Sequence, residues 1–162
     1  MLLTVVNKFR TDAIFKSSLE SENISYKRFS VQPTFLNNIL WYGIAETETD
    51  YKVGFYSLYD QEAKVTSFLS LPKNHDLIPF HEDIETLNWF SNGYYQLSLV
   101  PNSNNFYYKD LRYPLLNPSD KNSSVFKFEL TKEGTRWNIV SDNREPPSSD
   151  AFKAFFKRLK GI

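Results

Sequence analysis

Apolar positions alternate most clearly around one short polar turn. Residues 39–46 and 51–59 flank Thr47, Glu48, Thr49 and Asp50, a connection of common hairpin length. In the second arm Tyr51, Val53, Phe55 and Ser57 share one face, and Lys52, Gly54, Tyr56 and Leu58 share the other. Neither face is polar throughout, which predicts strands inside a sheet with cover above and below. A third strand is expected over residues 64–71, and residues 24–33 read as extended up to Pro33, which a ladder tolerates poorly.

Helical signals occur in three places. Residues 7–23 contain no Gly or Pro, although the apolar stripe there is marked only by Phe9 and Ala13. A short helix is predicted over residues 83–91, with Ile84, Leu87 and Phe90 at helical spacing and Asn92-Gly93 as its stop. The third begins near Ser148, Ser149 or Asp150, any of which can cap it, and carries Phe152, Phe155, Phe156 and Leu159 as an i, i+3, i+4, i+7 stripe. Further strands are expected at 94–100, 105–112, 125–131 and 136–140, with Phe126, Phe128 and Leu130 inward and Lys127 and Glu129 outward. Loops fill 111–124 and 141–149. The pattern predicts one α+β domain: a mostly antiparallel sheet of about six to eight strands with an N-terminal helix, a short central helix and a C-terminal amphipathic helix.

Composition fills in the character of the core. The 162 residues are 41% apolar and 17% aromatic, with 14 Phe, 10 Tyr and a single Met. Aromatic side chains bury large areas on few rotatable bonds, so they suit the space between a sheet and its covering helices. Lysine plus arginine balances aspartate plus glutamate at 19 each, so no global field favours nucleic acid. The absence of cysteine excludes disulfides, thiolate metal sites and a cysteine nucleophile. No run of about 20 apolar residues occurs. Five of the first six residues are nevertheless apolar, so residues 1–6 are expected to be the trailing end of something longer, and residues 7–162 the domain itself.

Candidate chemistry is sparse. His75 and His81, with Glu82 and Asp83 beside the second, form a possible divalent-metal set; the ordinary alternative is a solvated connection. Asp110 and Arg112, two apart on a predicted strand, could hold a ligand, and otherwise form a structural pair. Together with His81 they would line a pocket near the 72–83 loop. Asn37 and Asn38 stand at a strand entrance, where turn chemistry is the plainer reading. Lys153, Lys157, Arg158 and Lys160 make the last helix basic, suited to anionic lipid or simply to solvent beyond a packed Phe stripe. No glycine-rich phosphate loop, G-x-S-x-G elbow or H-E-x-x-H motif is present.

The segments NKFRTDAIFKSSLESENISYKRF, QPTFLNNILWYGIAETETDYKVGFYSLYD, FLSLPKNHDL, LNWFSNGYYQL and KDLRY follow one another over residues 7–130. In that order they resemble the part of bacterial membrane-bound metal-dependent hydrolases of the YdjM-like kind that follows their membrane helices. The resemblance is most specific at PTFLNNILWY with the hairpin after it, and at NGYY followed by DLR. It implies a soluble accessory or regulatory domain of a membrane-anchored protein, without catalysis of its own. The family's divalent metal would belong to the preceding membrane region, so no ligand positions and no cofactor carry over to this chain. Its expected partners are that membrane region and lipid headgroups. Two alternatives remain: a self-contained ligand-binding or hydrolytic domain, and a protein-interaction module.

Overall fold

A computed structural model describes residues 2–35, 37–140 and 148–162; most of the expected 141–149 loop, and Met1, lie outside them. The architecture is α+β with eight antiparallel strands, as the pattern predicts, but the strands divide into two four-stranded sheets rather than one. The first comprises β1 (Arg28–Pro33), β2 (Leu40–Glu46), β3 (Asp50–Ser57) and β4 (Leu69–Pro72) in that order. The second comprises β5 (Tyr95–Leu99), β6 (Phe106–Asp110), β7 (Lys127–Glu133) and β8 (Arg136–Ile139), also a simple meander. Helix α1 (Leu2–Ser21) precedes the first sheet, α2 (Glu82–Phe90) lies between the sheets, and α3 (Ser149–Leu159) follows the second.

The β2–β3 hairpin carries the core on both of its faces. Its turn is closed by Thr47, whose N–H donates to the Asp50 carbonyl at 2.9 Å, and Glu46 pairs with Tyr51. On one face Leu40, Tyr42, Ile44, Tyr51, Val53 and Phe55 are buried. Tyr94, Leu111, Leu115 and the Phe155 ring of α3 close over them. On the other face Gly43 and Gly54 are direct cross-strand partners, which leaves a notch in the middle of the sheet. A Cβ at Gly43 would overlap the Phe15 ring of α1. At Gly54 it would come within 2.6 Å of Val65 Cγ1 and 3.1 Å of Phe68 Cδ1. The notch therefore seats Phe15 and Phe68, which meet edge to face with centroids 6.4 Å apart.

This seating explains two departures from the sequence pattern. Helix α1 begins at Leu2 rather than residue 7, and Phe9 and Ala13 face outward. Its buried stripe is Thr11, Ile14, Phe15, Ser18 and Leu19, an i, i+3, i+4, i+7, i+8 set containing two hydroxyls. Thr11 donates to the Asn7 carbonyl and Ser18 to the Ile14 carbonyl, so both hydroxyls are satisfied inside the helix. Asn23 at φ +54° ends the helix, with Ile24 N–H returning to the Leu19 carbonyl. The expected strand over 64–71 shortens to β4, because Val65 and Phe68 leave the ladder to cover Gly54.

The second sheet buries Tyr95, Leu97, Tyr108 and Leu130 under Ile78 and Ile84. Phe126 and Phe128 are only half-buried, and Lys127 and Glu129 are half-buried as well, so the inward–outward contrast expected of β7 is blunted except at Leu130. Polar bonds stitch the two sheets together. Tyr42 donates its hydroxyl to the Leu111 carbonyl at 3.0 Å and Tyr51 to the Gly93 carbonyl at 2.7 Å. Leu97 N–H donates to the Lys73 carbonyl at 3.1 Å and Gln96 Nε2 to the Pro72 carbonyl at 2.7 Å. Burial pushes both tyrosine hydroxyls up, well beyond titration under ordinary conditions.

The notch makes a specific prediction. Gly43→Ala should lower stability in urea unfolding by roughly 1–3 kcal/mol, the usual cost of overpacking. Combining it with Phe15→Leu, which removes the ring the new methyl strikes, should recover part of that loss. Simple addition of the two single losses would contradict the notch.

Candidate functional site

A cleft of about 530 Å³ opens where the two sheets meet, lined among others by Arg28, Glu46, His75, Ile84, Glu85 and Tyr95. Cross-strand register explains its charged floor, because Arg28 at the start of β1 pairs with Glu46 at the end of β2. Arg28 Nε donates to Glu46 Oε2 at 2.6 Å, and Lys73 Nζ donates to Glu46 Oε1 and to the Thr47 carbonyl, both at 2.8 Å. Burial pushes the Glu46 carboxyl up, but the hydrogen bonds and charges of Lys73 and Arg28 outweigh it and hold the group below the usual carboxylate range. The Arg28 guanidinium lies 4.1 Å above the Tyr94 ring. Its two terminal nitrogens have no hydrogen-bond partner among the described residues, so they are available to a ligand in the cleft.

One wall is a stack of rings. His75 opens a single 3-10 turn (His75–Leu77) after Asn74, which adopts φ +52°. The imidazole lies flat on the Tyr95 ring with centroids 3.9 Å apart, and Tyr95 lies flat on Tyr108 at 4.8 Å. His75 Nε2 donates to the Tyr95 carbonyl at 2.9 Å. Burial holds the imidazole below its ordinary value of 6.5, with the Tyr95 carbonyl opposing, so His75 is neutral near pH 7. Burial also pushes the Tyr95 hydroxyl up to about 12. The cleft thus presents a guanidinium, a neutral imidazole and two carboxylates, a set suited to binding a small polar ligand.

Only one of the expected metal ligands lies here. His81 is instead the N-cap of α2: its Nδ1 accepts from Asp83 N–H at 3.2 Å and its Nε2 donates to the Thr135 carbonyl at 2.6 Å. Asp83 accepts from Arg136 at 2.9 Å and from Trp137 N–H at 2.9 Å, bonds that tie α2 to β8 and hold its carboxyl low. Glu82 is exposed. Among the described residues no group of three or more His, Asp or Glu side chains is placed to hold a metal ion.

The other candidates also take structural partners. Asp110 is buried and receives Arg112 through its Nε at 3.0 Å, its Nη2 at 2.6 Å and its backbone N–H at 3.0 Å. Arg112 borders a separate, smaller cleft of about 280 Å³ with Gln32, Phe35 and Tyr113. Neither Asp110 nor Arg112 nor His81 lines the cleft near the 72–83 loop, which corrects the lining expected from spacing. Asn37 builds the turn before β2, its Oδ1 accepting from Ile39 and Leu40 N–H groups and its Nδ2 donating to Thr34 Oγ1. Asn38 receives Trp41 Nε1 on its backbone carbonyl at 3.3 Å, while its side-chain oxygen is buried without a partner among the described residues. The residues missed, Arg28 and Glu46, carry no motif and become a pair only through the β1–β2 register.

Helix α3 departs from its expected packing. Phe155 is buried and Leu159 partly so, whereas Phe152 and Phe156 are 44% and 56% exposed. Arg158 turns inward, donating to both carboxylate oxygens of Asp60 at 2.6 Å and to the Phe55 carbonyl at 2.9 Å. Lys153, Lys157 and Lys160 remain exposed, Lys153 beside Asp150 at 2.9 Å. At 100° per residue, Phe152, Phe156, Lys160, Lys153 and Lys157 share an outward arc of about 140°.

No family model, curated protein or solved structure matches this chain.

The His75 environment predicts a pH dependence with a definite sign. The unfolded chain binds a proton near its ordinary value that the buried ring resists, so His75 removes stability as pH falls below about 6.5, by at most about 1.4 kcal/mol per pH unit. His75→Phe keeps a ring on Tyr95 and should flatten that part of the stability–pH curve measured by urea unfolding. An unchanged slope would assign the dependence elsewhere.

Proposed function

We propose that the chain is a membrane-facing accessory domain of a bacterial membrane-bound metal-dependent hydrolase of the YdjM-like kind, regulatory or docking in role and not catalytic by itself. The resemblance over residues 7–130 supports the family. The observation that carries the membrane-facing part is the outward arc of α3. Two phenyl rings and three lysines there form the composition that an interfacial helix presents to anionic lipid. Each ring is worth about 1.5–3 kcal/mol when fully taken from water, and each lysine about 1 kcal/mol near an anionic surface. That sum gives reversible attachment, which suits a domain held in place by something else. Val5, Val6 and Phe9, exposed on the first turns of α1, offer apolar surface to a preceding membrane region. Among the described residues no helix is long and apolar enough to cross a membrane, so anchoring in this reading comes from outside them. The divalent metal would likewise belong to that region.

A second reading is favoured by the cleft itself. Arg28, whose two terminal nitrogens have no hydrogen-bond partner among the described residues, and a neutral His75 nearby suit a small polar ligand whose binding the domain would report to its membrane partner.

Co-sedimentation with vesicles tests the first reading. The chain should bind phosphatidylglycerol vesicles in preference to phosphatidylcholine, and less so as salt rises. Phe152→Ser with Phe156→Ser, or Lys157→Gln with Lys160→Gln, should weaken binding by about tenfold or more without changing the fold. Equal binding by all three proteins, or none by any, rejects it.

A further inference from the structure

The cleft between the sheets is charged oppositely at its two sides. At the β1–β2 end, Glu46 gives one carboxylate oxygen to Arg28 and the other to Lys73. Two cations share one carboxylate, so that end keeps a unit of positive charge, and the terminal nitrogens of Arg28 are its exposed part. On the α2 side Glu85 lines the same cleft, is exposed and forms no ion pair among the described residues. Its Oε2 accepts from Asn88 Nδ2 at 3.2 Å, one helical turn further on. That bond fixes the amide orientation and leaves Asn88 Oδ1 as an acceptor with no partner among the described residues.

Gly93 joins the two sides. It sits at φ +74°, and a Cβ there would stand 2.5 Å from Arg28 Nη2 and 3.6 Å from Asn88 Oδ1. The missing side chain therefore leaves one small space bordered by a cationic donor and by an acceptor that do not bond each other. The rest of the cleft is apolar. Ile78 and Ile84 are buried beneath it, while Pro79 and Phe80 stand at its rim, the Phe80 ring 84% exposed. The volume of about 530 Å³ lies within the usual range for small-molecule sites.

We propose that this cleft binds a zwitterionic α-amino acid with an apolar side chain. Its carboxylate would sit on the Arg28 guanidinium, its ammonium on Asn88 Oδ1 and Glu85, and its side chain against Pro79 and Phe80. This assignment rests on the reading of the cleft as a small-ligand site and gives that ligand a chemical class. A guanidinium presents two terminal donors that match a carboxylate in geometry as well as charge. An anion without an ammonium leaves Glu85 unanswered, an amine without a carboxylate leaves Arg28 unanswered, and a dianion meets two carboxylates in the same cleft.

Thermal unfolding and calorimetric titration of the full chain with L-leucine test the assignment. L-Leucine should raise Tm and bind saturably. N-acetyl-L-leucine lacks the cation, L-leucinamide lacks the carboxylate and glycine lacks the side chain; each should bind about tenfold more weakly or worse. Glu85→Gln should weaken L-leucine by about tenfold and leave N-acetyl-L-leucine as it was, whereas Arg28→Gln should weaken L-leucine and leave L-leucinamide as it was. Should Arg28→Gln fail to fold, Glu85→Gln, at an exposed helix position, decides alone. An analogue that equals L-leucine overturns the zwitterion assignment and keeps the cleft as a ligand site. Binding that neither variant alters, or no binding by any of the four compounds, overturns both.

Discussion

The paired glycines of the central hairpin set the constraint on which the rest of the molecule depends. Gly43 and Gly54 face each other across β2 and β3, and the gap they leave lets Phe15 press against the backbone of the sheet. That contact fixes where α1 lies, and the matching contact of Phe68 pulls residues 64–68 out of the ladder to cover the other half of the notch. With one face sealed at such short range, the hairpin can commit the opposite face to large aromatics. Tyr42 and Tyr51 point there, and their hydroxyls end on the Leu111 and Gly93 carbonyls, just past β6 and just before β5 of the neighbouring sheet. Burying a hydroxyl without a partner costs on the order of 1–3 kcal/mol, so these two bonds dictate how closely the sheets approach. The cleft follows from that approach, since Arg28 and Glu46 come from the end of the β1–β2 ladder, with Lys73 bonded to Glu46 beside them, while Tyr95 comes from β5 at the second sheet's edge and His75 from the 3-10 turn stacked on it.

Much of this fold could be read along the chain. The hairpin with its Thr47–Asp50 turn, the three helices and the succession of strands along the chain appear about where alternation and spacing place them, because each is a local pattern that burial reinforces. Helix α1 was legible as a helix but not in its orientation. Two members of its buried stripe are Thr11 and Ser18, whose hydroxyls bond back to the helix and so behave as small core residues. Phe9, the residue that most attracts the eye, stands in solvent. The division into two sheets was hidden for another reason. Nothing local distinguishes a continuous meander from one interrupted by α2, and the interruption depends on long-range tyrosine bonds.

The candidate site was less legible than the fold. Spacing along one strand brings Asp110 and Arg112 together, yet they satisfy each other and leave little for a ligand. Histidines six positions apart reach different carbonyls, one in the ring stack and one at a helix cap. The Arg28–Glu46 pair arises only from strand register, which a single sequence specifies weakly until its partners are known. In α3 the sequence stripe runs true for Phe155 and Leu159. The hairpin supplies room for those two alone, because Arg158 occupies the remaining contact with Asp60 and Phe55. The leftover phenyl rings are therefore displaced to the outside together with the lysines.

That displaced arc carries the proposal of a membrane-facing domain, and the absence of cysteine makes it directly measurable. A single reporter cysteine at Phe152→Cys, carrying an environment-sensitive fluorophore, samples the outward arc of α3. A second protein labelled at Lys64→Cys samples an exposed position near the notch on the other face of the first sheet. With phosphatidylglycerol vesicles, the emission of the first should move to the blue while the second stays unchanged. A shift at neither position, or an equal shift at both, would contradict a domain that meets the membrane through α3.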